Sequence, residues 1–508
     1  MITKVLSAAY YGIQAYPVHI ETDVASGLPQ FNVVGLPDQS IKESRDRVRA
    51  AIKNSGFDFP PDKITVNLSP ADMKKEGPAF DLAIALGVLA AQSIIPAGKT
   101  DKYLFLGELA LDGSIQPVKG TIVMISSLKN HGVFVIPKKN AAEAALERDA
   151  TILTASTLKE VVSHLSDGTA LDRIQSNWSQ PSLAASYTID FSEVRGQYFA
   201  KRAVEIAVAG HHNLLMLGPP GSGKTMLARR IPTILPPLEF EEALEITKIY
   251  SVAGLKSYKK TLLTERPFRD PHYSISPVAL AGGGSWPRPG EVSLAHHGIL
   301  FLDELPEFRR DVIETLRCPL EEGEITIARA RMQETYPARV LLVAAMNPCP
   351  CGYLGHPAKR CRCHLHQIQK YQNRISGPIL DRIDLHVDVP HVPFQTLQQD
   401  DAVEPSAVIR ERILTARKTQ QIRFASSRHV KVNALMTPSE IKRFAEPDKE
   451  GKRLLESALK QLNLSARAYF KVLKIARTIS DLAGCEQIQS EHIAEAIQYR
   501  NLDRQWSS

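Results

Sequence analysis

A glycine-rich segment that ends in a lysine and a threonine has the residue types and spacing of a phosphate-binding loop. It reads GPPGSGKT, fits the pattern G-x-x-x-x-G-K-[ST], follows an apolar run at 213–217 and precedes a predicted helix. Glycines let successive backbone N–H groups converge on a phosphate, and the start of a helix adds partial positive charge. We expect Lys224 to neutralise phosphate charge and Thr225 to ligate Mg²⁺. The predicted nucleotide-binding residues of this loop are Gly218, Pro219, Pro220, Gly221, Ser222, Gly223, Lys224 and Thr225.

An acidic pair follows a second apolar run. The stretch HGILFLDEL predicts a buried strand that ends at Asp303 and Glu304. Beside a phosphate loop, Asp303 would hold Mg²⁺ through water, and Glu304 would orient or deprotonate the attacking water. An acidic pair can also do no more than end a strand, but the loop upstream favours the catalytic interpretation.

Polar and basic residues near the end of the same region extend the predicted site. The run ARVLLVAAMNP predicts a buried strand ending at Asn347, whose amide would fix water near the γ-phosphate or simply cap the turn before Pro348. Arg374 and Arg382 follow in QNRISGPILDRIDLHV. An arginine from a neighbouring subunit can stabilise the charge on a transferred phosphoryl group. A surface ion pair is the alternative for both arginines.

Cysteines are concentrated in one short segment. Four of the six, Cys349, Cys351, Cys361 and Cys363, lie in the pattern C-x-C-x₉-C-x-C. Four thiolates form a complete tetrahedral ligand set for structural Zn²⁺, although C-x-C is tighter than the usual C-x₂-C. The alternative is four reduced cysteines in a loop. Because the segment is rich in turn residues and poor in apolar ones, we favour zinc.

The composition is that of a globular protein with several domains. The chain has 508 residues, of which 44% are hydrophobic and 23% are charged, and this length predicts about two to four domains. We find no apolar run long enough to cross a membrane and interpret the N-terminal run as a strand, so we expect a cytoplasmic protein with reduced cysteines. The net charge of +7 permits a polyanionic partner without requiring one.

Three blocks and a linker can be distinguished along the chain. Residues 1–168 mix short strand patterns with an apolar helix at 80–91, and 169–189 form a polar linker. Residues 190–395 alternate helical patterns with apolar strands, which predicts a parallel α/β sheet. Residues 396–508 are helical, with an apolar stripe from Tyr469 to Leu482 and Gly484 as the helix cap.

The order of these motifs resembles a known family. The phosphate loop, the DE strand, the asparagine strand and SGPILDRIDLHVDVP are similar to AAA+ ATPases of the magnesium-chelatase type. GLPDQSIKESRDRVRAAI and LSARAYFKVLKIARTISDL extend the resemblance, over nearly the whole chain, to the bacterial YifB/ComM group. The resemblance implies ATP and Mg²⁺ as ligands and a hexameric ring. It also implies that Gln197 lies near the base, Arg382 is an arginine finger and Arg467 is the second sensor.

The resemblance further implies DNA as the partner in the ring pore. Two segments carry the residues that would contact it: Trp286 and Arg288 beside three glycines, and Arg329 and Arg331 on the predicted hairpin GEITIARARMQETYPARV. Arginines there would hold a phosphate backbone without reading sequence, and an aromatic ring would stack on bases. An ordinary charged hairpin is the alternative. ComM-like proteins are DNA helicases of branch migration, which predicts a role in integrating single-stranded DNA during recombination and natural transformation. A motor that remodels a protein partner and a non-enzymatic nucleotide-binding scaffold are the competing functions.

The first block resembles the Lon protease domain without its chemistry. That fold uses a serine activated by a lysine, but Ala79 stands at the serine position and Thr121, Ile122 and Val123 stand where the lysine is expected. The predicted fold class is therefore α/β, an AAA+ P-loop parallel sheet with an α-helical lid, preceded by a Lon-protease-like α+β domain.

Overall fold

The computed structural model of the chain separates into two compact units. It describes residues 2–73, 75, 77–174, 187–255, 262–284, 287–329, 332–393, 403–427, 430–462 and 465–500. Unit 1 comprises Met1–Ser182 with Phe240–Leu263, and unit 2 comprises Leu183–Glu239 with Thr264–Ser508. No helix within the described ranges combines the length and the apolar character needed to cross a bilayer.

Unit 1 is built on a mixed sheet of eight strands in the order β10-β9-β8-β5-β1-β2-β4-β3. The strands of unit 1 are β1 (Ile2–Tyr11), β2 (Gln14–Ala25), β3 (Gln30–Val34), β4 (Lys63–Ser69), β5 (Tyr103–Phe105), β6 (Glu108–Leu109), β7 (Ile115–Gln116), β8 (Val133–Pro137), β9 (Ile152–Ala155) and β10 (Asp172–Arg173). β1 pairs antiparallel with β2 and parallel with β5, while β6 and β7 form a separate short ribbon. The short strand patterns predicted within residues 1–168 are thus present.

Helices cover both faces of this sheet. The α-helices are Gln39–Asn54, Asp81–Ala91, Thr121–Leu128, Ala141–Ala144, Leu158–Asp167 and Phe240–Ala253, with 3₁₀ turns at Pro78–Phe80 and Lys138–Asn140. Asp81–Ala91 is apolar all round and buried along its length, as expected of a helix at the centre of a domain. Asp81 at its start is fully buried, where Arg47 and Ser44 bind its carboxylate.

The helix Phe240–Ala253 reaches unit 1 from a later part of the chain. Its Ser251 hydroxyl accepts a hydrogen bond from the Gly120 backbone N–H at 3.1 Å and donates to Glu143 at 2.5 Å. Ile246, Ile249 and Val252 are buried. The segment lies within the block 190–395 assigned to the ATPase core from the sequence, but in space it is part of unit 1. Apolar periodicity predicts that a helix has a buried face without saying which core buries it.

Unit 2 contains a five-stranded sheet in the order β12-β15-β18-β11-β19, in which every pair is parallel. The strands of unit 2 are β11 (Leu214–Leu217), β12 (Phe268–Arg269), β13 (Gly282–Gly283), β14 (Arg288–Pro289), β15 (Ile299–Leu302), β16 (Glu324–Arg329), β17 (Met332–Pro337), β18 (Leu341–Met346) and β19 (Leu385–Asp388). β13–β14 and β16–β17 are separate antiparallel hairpins. The central strands are buried on both faces, which explains why they are uniformly apolar.

Helices surround the sheet and continue into a C-terminal bundle. The α-helices of unit 2 are Tyr198–Gly210, Lys224–Arg230, Pro277–Ala281, Glu291–Leu294, Arg310–Glu314, Arg317–Glu322, Leu365–Gln372, Gly377–Leu380, Ser406–Arg423, Pro438–Phe444, Lys449–Leu462, Ala466–Leu482 and Ser490–Gln498, with 3₁₀ turns at Phe191–Glu193, Ile231–Ile234, Leu305–Glu307 and Asn433–Leu435. Val472, Leu473, Ala476 and Ile479 of the predicted stripe join the sheet residues in one hydrophobic core. Gly484 has a φ of 68°, as a cap of this kind requires.

A largely buried charge network joins the bundle to the start of β19. The Asp384 carboxylate lies 3.1 Å from Lys471 Nζ and 3.5 Å from His212 Nδ1. Burial opposes ionisation of this carboxyl, but Lys471, His212 and Lys474 together hold its pKa well below the ordinary range. The network therefore stabilises the fold through an ionised Asp384.

Asp384→Asn should destabilise unit 2 by about 3–5 kcal/mol, because it leaves largely buried lysines without their counter-ion. The measurement is urea unfolding of the full chain, with Asp46→Asn as the matched control, since Asp46 pairs with Arg45 on the surface. The folded-state pKa of Asp384 is depressed, so its contribution is fully present above the unfolded pKa of about 4 and is lost as the pH falls below it. A stability difference between wild type and variant that stays constant down to a pH of about 2 would contradict this assignment.

Candidate functional site

Three neighbouring parallel strands end at the same edge of the unit 2 sheet. β15, β18 and β11 are adjacent, and they are followed by Asp303, Asn347 and Gly218 respectively. Since the carboxyl ends of parallel strands meet at one edge, residues far apart in sequence converge there. Three of the sequence motifs thus form one site.

The loop after β11 depends on glycine at defined positions. Gly221 and Gly223 have φ angles of 76° and 95°, which L side chains rarely adopt. A Cβ on Gly218 would lie 2.2 Å from the Val389 carbonyl oxygen, so the close approach of the loop to the strand beside it requires a residue without a side chain. This geometry leaves backbone N–H groups available to a phosphate.

Lys224 lies inside the loop and not in solvent. Its Nζ donates to the carbonyl oxygens of Gly218 at 2.7 Å and Pro219 at 3.0 Å, and to Asn347 Oδ1 at 3.2 Å. Lys224 is only 8% exposed, and this burial lowers the pKa of its ammonium group. The negative charges of nearby Asp303 and Glu304 raise the same pKa and partly offset the lowering. The contact between Lys224 and Asn347 shows that the asparagine side chain is aimed at the loop and does not simply cap the turn after β18.

Thr225, Asp303 and Glu304 form the acidic side of the site. The Thr225 hydroxyl donates to Asp303 Oδ2 at 2.7 Å, and the Glu304 backbone N–H donates to Asp303 Oδ1 at 2.9 Å. Glu304 has a φ of 53°, a strained value for a residue with a side chain. The paired hydroxyl and carboxylate are oxygen ligands of the kind that Mg²⁺ prefers, so the residues fit the ion. Bound there, Mg²⁺ would neutralise phosphate charge.

Gln197 links the loop to the strand on its other side. Its Nε2 donates to the Ser222 carbonyl at 3.0 Å and to the Pro390 carbonyl at 2.6 Å. Gln197 itself has a φ of 54° immediately before the helix Tyr198–Gly210. The contact with Ser222 places Gln197 beside the phosphate loop, and its expected position near the base stays a prediction.

The two arginines after β18 form ion pairs within the chain. Arg374 binds Glu307 Oε2 at 2.7 Å. Arg382 binds Glu321 and also donates to the carbonyl oxygens of Arg317 at 3.3 Å and Pro378 at 2.6 Å. The side chain of Arg382 is only 14% exposed. The ion pairs weighed as the alternative are therefore present, and a role across a subunit boundary remains a proposal.

Arg467 contacts the residue that immediately precedes Arg382. It begins the long bundle helix, is 71% exposed and binds Asp381 Oδ2 at 3.2 Å. Asp381 immediately precedes Arg382. Among the contacts of the described residues, neither arginine reaches Lys224, Thr225 or Asp303. Sequence reasoning identified both arginines but missed the carboxylates that hold them, because ion pairs between distant helices have no periodic signal.

The two hairpins that carry the predicted DNA contacts pack against each other. The Tyr336 hydroxyl of β17 donates to the Pro287 carbonyl at 2.8 Å, and a Cβ on Gly282 would lie 2.6 Å from Ile327 Cδ1. Ile325 and Ile327 of β16 are buried. Arg288 is exposed, and the backbone of Arg329 pairs with Met332. Trp286 and Arg331 lie outside the described residues.

The four clustered cysteines converge in the loop after β18. Their sulfur atoms all lie within 4.8 Å of one another. Burial raises the pKa of the Cys349 thiol to about 12, while backbone N–H groups of Arg362 and Tyr353 lower that of Cys351 to about 6. The arrangement fits a single ion with four sulfur ligands.

Family comparisons agree with this geometry. Residues 190–397 match the family described as magnesium chelatase, subunit ChlI, and residues 20–140 and 403–500 match its subunit ChlI and ChlI C-terminal descriptions. The chain is 44% identical over 508 residues to competence protein ComM of Haemophilus influenzae, covering 98% of this chain and 97% of that protein. It is 44% identical over 507 residues to YifB of Escherichia coli, covering 99% and 98%. The chain belongs to the magnesium-chelatase-like YifB/ComM family.

Membership of the YifB/ComM family supports an ATPase motor that uses ATP and Mg²⁺. The mixed α/β architecture and the parallel sheet of unit 2 agree with the AAA+ fold of that family. A shorter match, 26% identical over 149 residues, joins 28% of the chain to 26% of Lon protease 2 of Bacillus subtilis. This is weak support for the Lon-like interpretation of unit 1.

Proposed function

We propose that this member of the YifB/ComM family is an ATP-driven ring helicase. It moves DNA strands during branch migration and integrates single-stranded DNA in recombination and natural transformation. The observation that carries the proposal is the convergence of the nucleotide-binding motifs at one sheet edge, in a chain related over nearly its whole length to a competence protein. Lys224 binds phosphate, Thr225 and Asp303 hold Mg²⁺, and Glu304 and Asn347 position or activate the attacking water.

A homohexamer completes this site from outside the chain. Arg467 binds Asp381, the residue before Arg382, and Arg382 binds Glu321. Among the described contacts, neither arginine binds the chain's own phosphate loop. An arginine that stabilises phosphoryl charge in a neighbour must be presented away from its own nucleotide. The surface with Arg382 and Arg467 is therefore proposed to face the loop of the adjacent subunit.

The packed hairpins supply the proposed DNA contacts. Arg288 is exposed on one hairpin, and Arg329 is the last residue of β16 on the other. Trp286 and Arg331, which lie outside the described residues, complete the set predicted from the sequence. Arginines presented there would bind the phosphate backbone without sequence preference. The two hairpins form one packed unit because Tyr336 and Ile327 join them, so a displacement of either would move both along a strand.

Replacing Arg288 and Arg329 with alanine should weaken single-stranded DNA binding and reduce the salt slope by about one for each lost phosphate contact. The measurement is the binding constant of a fluorescent oligonucleotide as a function of salt. Arg443→Ala is the matched control, since Arg443 is an exposed arginine of the C-terminal bundle. If neither Arg288→Ala nor Arg329→Ala changed the salt dependence of DNA binding, the hairpins would not contact the DNA backbone.

The experiment that tests the proposed function is strand displacement on forked and four-way DNA. Wild-type protein with ATP and Mg²⁺ should displace strands, and Lys224→Ala should not. The second candidate is a motor that uses the same nucleotide site to remodel a protein partner. The match of residues 190–397 to the magnesium-chelatase family supports this candidate. ATP turnover that branched DNA does not stimulate would favour this second candidate.

Unit 1 is proposed to be a Lon-like fold that has lost peptidase chemistry. Ala79 lies in the 3₁₀ turn Pro78–Phe80, and Thr121 begins a helix with its hydroxyl bound to the Val118 carbonyl at 3.0 Å. Neither position supplies the serine or the lysine that the dyad needs. We propose a binding role for unit 1, a cytoplasmic location for the chain and Zn²⁺ as a structural ion.

A further inference from the structure

The loop between β18 and the helix Leu365–Gln372 lacks an apolar core of its own. Residues 347–364 contain no helix or strand, and from Cys349 to Cys363 only Cys349 and Gly352 are buried. Loops of this length without secondary structure are uncommon in compact domains and are usually functional. A single folded conformation of this loop therefore requires stabilising interactions other than an apolar core.

The four sulfur atoms provide that source. Cys349 Sγ lies 3.4 Å from Cys351 Sγ and 3.7 Å from Cys361 Sγ, and Cys351 Sγ lies 3.6 Å from Cys361 Sγ. Tetrahedral ligation at about 2.3 Å places sulfur atoms about 3.8 Å apart. The observed separations match a single tetrahedral ion. They are too long for disulfides, in which the sulfur atoms are about 2 Å apart, and a cluster of several metal atoms would hold the four ligands further apart.

This cysteine loop rests directly on the phosphate loop. Gly352 has a φ of 80°, and a Cβ built there would lie 2.4 Å from Pro220 Cδ and 2.7 Å from Pro220 Cγ. Pro220 belongs to the glycine-rich segment that would hold phosphate. Gly352 immediately follows Cys351, so the position of a metal ligand determines how closely the loop can pack on Pro220.

Two further contacts connect the same loop to the nucleotide site. The His356 ring lies 5.4 Å from that of His391, which follows the Pro390 carbonyl that accepts from Gln197. At its start, the loop continues from Asn347, whose side chain accepts from Lys224. The cysteine loop thus contacts the phosphate loop on one side and leads to its lysine on the other.

We propose that Cys349, Cys351, Cys361 and Cys363 bind one Zn²⁺, and that the zinc-held loop supports the phosphate loop through Gly352 and Pro220. Loss of zinc then weakens nucleotide binding. The proposal depends on the nucleotide site in the proposed function but not on DNA, strand displacement or ring assembly.

The first part of the test measures the metal in full-length protein. Wild type should contain about one zinc per chain, and its Co²⁺-substituted form should show the visible absorption of a tetrahedral thiolate site. Cys361→Ser should lose the zinc, while Cys485→Ser, which changes a cysteine outside the cluster, should retain it. Iron in place of zinc, or less than about a tenth of an equivalent of zinc, would reject the site.

The second part separates metal binding from support of the phosphate loop. Gly352→Ala should retain zinc but bind a fluorescent ATP analogue about tenfold more weakly, because the new methyl group displaces Pro220. Gly355→Ala is the matched control, since Gly355 lies in the same loop with a φ of 76° and would meet no atom within 4 Å. Cys361→Ser should weaken binding of the analogue as well.

A zinc-free Cys361→Ser protein that binds the ATP analogue as tightly as wild type would show that zinc does not support the phosphate loop. Equal affinities of Gly352→Ala and Gly355→Ala for the analogue would show that the Gly352–Pro220 contact does not support it. All these measurements use zinc content and nucleotide binding only. A protein that failed to displace DNA could still confirm the zinc proposal, so the two failures are distinguishable.

Discussion

Glu304→Gln is expected to lower ATP turnover by about two to four orders of magnitude while leaving nucleotide binding nearly unchanged. Glu304 follows β15 with a strained backbone, held by its N–H to Asp303. The amide is similar in size and cannot accept a proton from water. Lys224, Thr225 and Asp303 remain in place, so ATP and Mg²⁺ should still bind. The measurements are steady-state phosphate release and binding of a fluorescent ATP analogue.

Asp311→Asn is the matched control, because Asp311 is an exposed acid a few residues downstream that binds Arg309. It should leave turnover close to the wild-type value. Equal rates for Glu304→Gln and wild type would exclude Glu304 as the base and would make Asp303 and Glu304 a simple strand end.

Arg382→Ala is expected to reduce turnover by about a thousandfold or more without weakening nucleotide binding. Arg382 is proposed to stabilise phosphoryl charge in the neighbouring subunit. Glu321→Gln removes the internal carboxylate partner but retains the guanidinium, so this variant should keep substantial turnover. If the intrachain ion pair alone mattered, the two variants would show the same loss.

Mixing two inactive variants tests the direction of this contact. Arg382→Ala protein has an intact loop, and Lys224→Ala protein has an intact arginine, so a mixed ring contains some interfaces with both groups. Partial turnover should therefore return on mixing. If the two variants assemble together but the mixture is as inactive as either variant alone, Arg382 does not act in the neighbour's site.

The site at the sheet edge was predictable because its signals are local. The apolar runs from Leu214, Ile299 and Leu341 lead directly to Gly218, Asp303 and Asn347, and parallel strands place their carboxyl ends together. The spacing of the glycines and Lys224 required no knowledge of tertiary packing.

Contacts between distant segments were not predictable in the same way. The apolar face of Phe240–Ala253 marks a helix, but its burial in unit 1 depends on Ser251 meeting Gly120 and Glu143. The packing of Gly352 on Pro220 likewise has no signature beyond a glycine in a turn. Such contacts arise from how loops pack after the elements form, and hydrophobic periodicity does not encode them.

The proposed hexameric helicase is tested most directly by measuring assembly, ATP turnover and displacement of branched DNA in the same samples over a range of protein concentrations. We predict that turnover and strand displacement rise together with the hexamer fraction measured by sedimentation, because the Arg382 surface of one subunit completes the site of the next. Full turnover by protein that sediments as a monomer with ATP and DNA present would contradict that claim.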